Sequence, residues 1–341
     1  MLTSGISFKN FKKNKKLNNT KVRKKFFSLL NEKNYILDSL RKNYKDNFSK
    51  QIINKYKKYS TFKVIGMGGS TLGTQTIYEF LRDKVKKDFI FLDNLRQKKL
   101  KIKNSKSVNL IVSKSGNTIE TVVNSNIYIQ RQDSNIFITE NKDNYLLKLA
   151  NKLKADIVHH NNYIGGRYSV LSEVGMLPAE LMGLHVNKFR QLNSLIKNKK
   201  FINSLLLSVS STINYIKNKK YNSIILNYDE NAENLFKWYQ QLVAESLGKK
   251  SKGLLPIVSN MPKDNHSVMQ LYLDGFKNNF YTFFYTNELN PESLKNSQIL
   301  SSQKYLRGKN VSNIMYAQKI ATEKVFYKKK LPFRSFEIKE R

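Results

Sequence analysis

From Phe62 onward, short apolar runs of strand length end in small polar residues and alternate with segments long enough for a helix. The runs are Lys63 to Gly66, Phe89 to Asp93, Val108 to Ser113, Asn135 to Thr139 and Ala155 to His159. Strands separated by helices do not pair as hairpins. They build βαβ units, and the resulting parallel sheet is covered on both faces. Residues 170–218 then read as helical through Met176, Leu181, Phe189, Leu192 and Leu195. A second series follows, with strands near Asn222 to Leu226, Leu254 to Val258 and Asn279 to Tyr285 and helices at about 231–247 and 265–275. The pattern predicts an α/β chain with two doubly wound parallel sheets in an αβα sandwich arrangement. The first domain is expected over 56–200, helical connector included, and the second over 201–341, with the boundary between about 185 and 215.

Composition narrows the function classes. The 341 residues carry 61 Lys plus Arg against 25 Asp plus Glu, a net charge of +36, and no Cys. Without Cys there is no disulfide framework and no thiolate zinc site. A hydrophobic share of 40% is enough for a packed core. No apolar run approaches the roughly 20 residues of a spanning helix and no signal-peptide stretch opens the chain, which predicts a soluble, cytoplasmic protein without membrane contact. The charge does not by itself argue for nucleic acid. Only ten of the cations are Arg and the chain holds seven Ala, a Lys- and Asn-rich bias that reads as an A+T-rich coding background spread over solvated faces. Base recognition leans on Arg, which is not concentrated here, so nucleic acid is not expected as the main partner. A diffuse basic field still attracts an anionic small substrate. Residues 1–55 are the most basic stretch. Lys12, Lys13, Lys15, Lys16, Lys24 and Lys25 interrupt a helix-like pattern through Phe26, Leu29, Leu30, Tyr35, Ile36 and Leu40, which reads as a surface helical leader.

Two strand-to-helix turns carry anion-binding chemistry. In Val64-Ile-Gly-Met-Gly-Gly-Ser-Thr-Leu-Gly73, Gly66, Gly68 and Gly69 permit close backbone approach, and Ser70 and Thr71 are placed to cap the following helix. Backbone amides at that helix start suit an anion, although a plain tight turn accounts for the glycines equally well. It is neither a Walker A loop nor a dinucleotide fingerprint, because no Gly-Lys-Ser/Thr follows and Thr71 stands where a third Gly belongs. In Ile111-Val-Ser-Lys-Ser-Gly-Asn-Thr-Ile-Glu-Thr121, the hydroxyls of Ser113, Ser115 and Thr118 gather at a helix start beside Lys114, with Glu120 in the first turn. One such turn is ordinarily a capping box. Two of them at the carboxyl ends of parallel strands mark the edge where open α/β sheets bind ligands.

Three further segments hold candidate groups. Gly165-Gly-Arg-Tyr-Ser169 brings the scarce cation Arg167 into a Gly-rich turn, with a salt bridge to Glu173 as the alternative reading. In Trp238-Tyr-Gln-Gln-Leu-Val-Ala-Glu-Ser-Leu-Gly-Lys249, Gln241 and Glu245 share one helix face. Partial burial of Glu245 among Trp238, Leu242 and Leu247 would raise its pKa and suit a general base, the alternative being a solvated helix carboxylate. His266 begins a helix after a loop, with Asp264 placed to hold its tautomer. No His, Asp or Glu spacing indicates a metal.

Taken together, these segments resemble the glucose-6-phosphate isomerase family. Gly66 to Gly73, Ser113 to Thr121, Gly165 to Ser169, Gln241 to Lys249 and His266-Ser267 are similar to five signatures of that family, in the family's order. The resemblance covers about 62–338. It implies two sugar-isomerase (SIS-type) domains with the active site between them, a sugar-phosphate substrate, no cofactor and no metal. It further implies that Ser113, Lys114, Ser115 and Thr118 hold the phosphate, that Gly69 and Ser70 line the sugar and that Gln241 orients it. Glu245 would shuttle the proton between C2 and C1, Arg167 would stabilise the enediolate, and His266, supplied across a homodimer, would assist ring opening.

One departure stands out. The family carries a further catalytic Lys, preceded by an Asp-Gln pair, on a helix near its C-terminus. Here the chain stops at Arg341, just after the strand-like Phe333 to Ile338, and contains no Asp-Gln pair. Lys319 and Lys324 lie on a helix ahead of that strand and are not assigned the role. The second domain is therefore expected to be C-terminally truncated. The alternative to a working isomerase is a non-catalytic or impaired sugar-phosphate-binding SIS protein.

Overall fold

The computed structural model describes residues 3, 5–12, 19–100 and 106–340; Lys13, Lys15 and Lys16 of the basic leader, and Arg341, lie outside them. Its strands are β1 (Ile6–Lys9), β2 (Thr61–Gly66), β3 (Asp88–Leu92), β4 (Val108–Val112), β5 (Ser134–Thr139), β6 (Asp156–His159), β7 (Asn222–Asn227), β8 (Leu255–Asn260), β9 (Asn279–Thr286) and β10 (Phe333–Ile338). They form two five-stranded sheets, and the chain divides into two compact units, each holding one sheet.

The first unit comprises Leu30–Leu195 and Lys237–Leu242. Its sheet has the order β3-β2-β4-β5-β6 with every pairing parallel. Neighbouring residues of one strand enter different cores, as a period of two requires. Val64, Leu110, Ile136 and Ile138 pack with Ile77, Val174, Met176 and Leu177. Ile65, Ile111 and Phe137 pack with Leu146 and Ala150 on the opposite face. Helices thus cover both faces, which explains why the central strands read as uninterrupted apolar runs. The exception inside β2 is Lys63, whose Nζ lies 2.8 Å from Asp133 Oδ2 with both side chains buried. Ser107 and Asn109 also donate to that carboxylate. Burial alone would raise the Asp133 carboxyl, but the bonds from Lys63, Asn109, Ser107 and the Gln130 backbone outweigh it and hold it below its ordinary value.

The second unit comprises Met1–Leu29, Ile196–Phe236 and Val243–Arg341. Its sheet has the order β1-β10-β9-β7-β8, parallel except for β1, which runs antiparallel to β10. All eight residues of β9 are buried. Ile224, Leu226, Tyr281 and Phe283 pack with Phe326 and Phe333 on one face, where the Tyr281 and Phe326 rings meet edge to face at 4.8 Å. Phe11, Leu254 and Phe280 pack with Tyr215 on the other. Lys319, fully buried on the helix Val311–Lys328, is neutralised by Glu323 and Glu337.

The leader differs from the helical segment expected of 1–55. Helices do occur at Thr20–Asn31, Tyr35–Ser39 and Lys50–Tyr56, but Ile6–Lys9 is an edge strand of the second sheet. Residues up to Leu29 group with the second unit and those from Leu30 with the first. The long connector resolves into the helices Glu173–Leu181, Leu192–Leu195 and Lys199–Lys217. Among the described residues no helix is long and apolar enough to cross a membrane.

Candidate active site

The order of the first sheet reverses at β2, which has β3 on one side and β4 on the other. The carboxyl ends of β2 and β4 are therefore the expected ligand edge, and both candidate loops leave from there. A Cβ on Gly66 would lie 2.7 Å from the carbonyl oxygen of Val112, so the end of β2 tolerates no side chain. Gly68 has φ +52°, the left-handed region. A Cβ on Gly69 would fall 2.3 Å from the carbonyl carbon of Gly166. Close approach of two backbones is what these glycines are for. The expected hydroxyl caps are absent: Thr71 Oγ1 turns back to the carbonyl of Gly68 at 3.3 Å, and the helix Leu72–Phe80 has no side-chain cap. Its first amides are left without a capping side chain, which favours an anion from outside.

At the end of β4, Ser113 is buried and its Oγ lies 3.0 Å from Thr118 Oγ1. Thr118 occupies the N-cap position of the helix Ile119–Tyr128 without capping it, and Glu120 sits in the first turn. Ser115 is exposed, and its Oγ accepts weakly from the Asn117 amide at 3.4 Å. The turn is fixed by Gly116, at φ +68°, where a Cβ would meet Asn144 Oδ1 at 1.9 Å. Lys114 is held at the side of the loop, its Nζ donating to the Asn162 carbonyl at 2.7 Å and pairing with Glu140 at 3.2 Å.

The turn Gly165 to Ser169 meets the first glycine loop. Ser169 Oγ donates to the carbonyls of Gly166, at 2.7 Å, and Gly69, at 3.3 Å. The Arg167 guanidinium lies over the Tyr168 ring at 4.6 Å, and the Arg167 carbonyl accepts from Trp238 Nε1 at 3.0 Å. Following the turn in the chain is Glu173, the alternative partner offered for Arg167, which sits in a polar cluster with His160 and Tyr44. His160 contacts the Ile164 carbonyl at 2.9 Å and Glu173 at 3.4 Å, and Tyr44 donates to Glu173 at 3.3 Å. Arg190 donates to the Leu171 carbonyl and to Asp46. Burial works against the Glu173 carboxylate, but the His160 bond, its own backbone amide, the His160 charge and Ser172 outweigh it and keep its pKa below the usual value.

Gln241 belongs to the same unit, on the helix Glu233–Leu247. A Cβ on Gly68 would lie 3.2 Å from Gln241 Nε2, so that amide rests on the first glycine loop. Gly68, Gly69, Arg167, Trp238 and Gln241 are thus brought together, with Ser70, Ser113, Lys114, Ser115 and Thr118 on the adjoining strand ends. Glu245 follows Gln241 by one helical turn on the same face. The partial burial expected of Glu245 is not seen: it is exposed, as is Leu247 beyond it. His266 is also exposed and precedes the helix Met269–Asp274. Asp264 does not hold its tautomer. Its two oxygens instead accept from the Asn260 amide and the Ser267 hydroxyl, both at 2.9 Å, which ties the loop to the end of β8. Glu245 and His266 belong to the second unit. Among the described residues no three His, Asp or Glu side chains are placed to hold a metal ion.

Comparison with known proteins fits this arrangement. The family model described as phosphoglucose isomerase matches residues 31–254. The glucose-6-phosphate isomerase of Methanocaldococcus jannaschii is 32% identical over 292 residues, covering 80% of this chain and 71% of its own. That of Mycoplasmoides gallisepticum is 29% identical over 324 residues, covering 85% and 76%. Among solved structures, a hypothetical protein from Thermus thermophilus aligns with a TM-score of 0.78 at 21% identity, over 94% of this chain and 83% of that one. A glucose-6-phosphate isomerase from Chlamydia trachomatis aligns with a TM-score of 0.62 at 16% identity, over 89% and 69%. The tagatose-6-phosphate ketose/aldose isomerase of Escherichia coli gives 0.52 at 14%, over 75% and 69%. These structural likenesses show the fold, two parallel sheets fitting two SIS-type domains. With the family model spanning well over half the chain and the archaeal relative matched across most of both lengths, the chain belongs to the phosphoglucose isomerase family of aldose–ketose isomerases.

Proposed function

We propose that the protein interconverts glucose 6-phosphate and fructose 6-phosphate, in the direction glycolysis or gluconeogenesis demands. The observation that carries this reading is the meeting of Gly68 and Gly69, Arg167, Trp238 and Gln241 within one unit, next to the hydroxyl-lined start of the helix Ile119–Tyr128. Ser113, Ser115 and Thr118 supply hydroxyls and helix-start amides for the phosphate, with Lys114 adding charge from the side. Gly69 and Ser70 line the sugar, and Gln241 orients it.

The chemistry moves two protons, one from C2 to C1 and one from the C2 hydroxyl to the C1 oxygen. Glu245 takes the first from C2 of the open-chain aldose, the electron pair passes into a C1–C2 double bond, and the carbonyl oxygen at C1 becomes an enediolate oxygen. Arg167 stabilises that charge, the fixed cation acting where negative charge develops. The C2 hydroxyl proton passes to the C1 oxygen, and return of the carbon-bound proton to C1 then closes the C2 carbonyl of the ketose. C1 is reduced as C2 is oxidised within the same molecule, so no external redox cofactor enters. His266 moves the protons of ring opening and is contributed by the second chain of a cytoplasmic homodimer. Each compact unit corresponds to one sugar-isomerase domain.

A coupled assay for glucose 6-phosphate formed from fructose 6-phosphate tests the activity, and solvent deuterium incorporation tests the route. Deuterium at the transferred position would support the proton shuttle, and turnover undiminished in Glu245→Gln would refute Glu245 as its base. Sugar-phosphate binding with neither turnover nor exchange would reduce the protein to a binder. Glu245→Gln is expected to lower kcat by about 10²- to 10⁴-fold with the protein still folded.

A further inference from the structure

The carboxyl edge of the second sheet carries a cleft of about 600 Å³, lined throughout by residues of the second unit. It opens where that sheet reverses order: β7 has β8 on one side and β9 on the other, and their last residues Asn227, Asn260 and Thr286 all line it. Such a crevice is where open α/β sheets take ligands, and the volume suits a small molecule.

Its charge is opposite to that of the chain. Asp229, Glu230, Glu233, Glu288 and Glu292 line it against a single Lys263, in a protein of net charge +36. Two of the lining groups are buried acceptors without a hydrogen-bond partner, Oγ1 of Thr286, which is 5% exposed, and Oδ1 of Asn260. A buried acceptor left without a donor is unfavourable, so a ligand rich in N–H donors is favoured there. The carboxylates are dispersed rather than convergent, since no three acidic or His side chains among the described residues come together as metal ligands do. Between them Tyr228, Tyr285, Met261 and Met315 supply apolar wall. Separated negative groups on an apolar wall match ammonium groups separated by methylenes.

We propose that this cleft binds a linear aliphatic polyamine. The net positive charge of the chain does not prevent it, because at about 0.15 M salt the screening length is about 8 Å and the cleft's own carboxylates dominate the local field.

Calorimetric titration of the full chain with spermidine at that salt tests it. Saturable one-to-one binding is expected, weakened at least about tenfold in the double variant Glu230→Gln, Glu292→Gln and tightened by Lys263→Gln. Both glutamates are exposed, so the double variant is expected to retain the wild-type circular dichroism spectrum. Charge-matched magnesium chloride is expected not to displace the polyamine. Non-saturable heats, affinities unchanged in both variants, or equal displacement by magnesium would each overturn the proposal.

Discussion

The indole Nε1 of Trp238 donates to the backbone carbonyl of Arg167 at 3.0 Å. A helix side chain thereby holds the turn that presents the guanidinium, one turn before Gln241 on the same helix. Trp238→Phe keeps most of the ring and removes the donor, a loss of about 1 kcal/mol. We expect kcat to fall several-fold with KM nearly unchanged in steady-state assays. A lower melting temperature with unchanged kcat per folded molecule would assign Trp238 to packing alone.

Gly69 and Gly166 face each other but are not equivalent. A Cβ on Gly69 would stand 2.3 Å from the Gly166 carbonyl carbon, whereas a Cβ on Gly166 would stand 4.0 Å from Gly69 Cα. Gly69→Ala must push two backbones apart and is expected to abolish measurable turnover. Gly166→Ala meets only ordinary van der Waals contact and is expected to retain most activity. Equal loss in both variants would contradict this asymmetry.

The Ser113 and Thr118 hydroxyls lie 3.0 Å apart at an uncapped helix start. In the proposed role, Ser113→Ala or Thr118→Val removes one donor to a charged phosphate, a contribution of about 1.5–3 kcal/mol. The inhibition constant for inorganic phosphate and the KM for the sugar phosphate are expected to rise together, by about 10- to 100-fold. A change in kcat alone would place these hydroxyls away from the phosphate.

Asp133 and Lys63 form a buried ion pair, and the carboxyl is held below its ordinary value despite its burial. A carboxyl depressed by folding contributes stability above its unfolded-state pKa, and that stability is lost as pH falls through the lower folded-state value. Urea unfolding should therefore show a steep loss on the acid side, below about pH 4. Asp133→Asn leaves the Lys63 ammonium buried without its counter-charge and is expected to cost about 3–5 kcal/mol at neutral pH. Its acid limb should be flatter than that of the wild type.

The parallel sheets were legible because a strand covered on both faces has no polar alternation to confuse its limits. Val108 to Val112 is five buried residues, and Phe333–Ile338 is bounded as the sequence suggests. The glycine and serine turns were legible for a related reason, since close backbone approach leaves its mark in local residue types. What depends on packing between distant segments left no such mark. The His160–Glu173–Tyr44 contacts join residues that nothing in their neighbourhoods distinguishes. Asp264 stands near His266 in sequence yet serves Asn260 and Ser267, because the loop folds back on the end of β8. Ile6–Lys9 is too short and too close to a basic cluster to read as a strand without its partner.

That partner gives the short strand its importance. Ile6 pairs with Ile338 and Lys9 with Ser335, so the second sheet joins two segments that lie far apart along the chain. Because β1 precedes β10 in the chain, it has no partner until β10 has been made, and the outer edge of β10 stays open until β1 docks on it. During that interval it is an unpaired strand edge of the kind that recruits other chains. Deleting Ile6–Lys9 would leave that edge uncovered for the life of the molecule, making the least conspicuous strand a guard against misassembly.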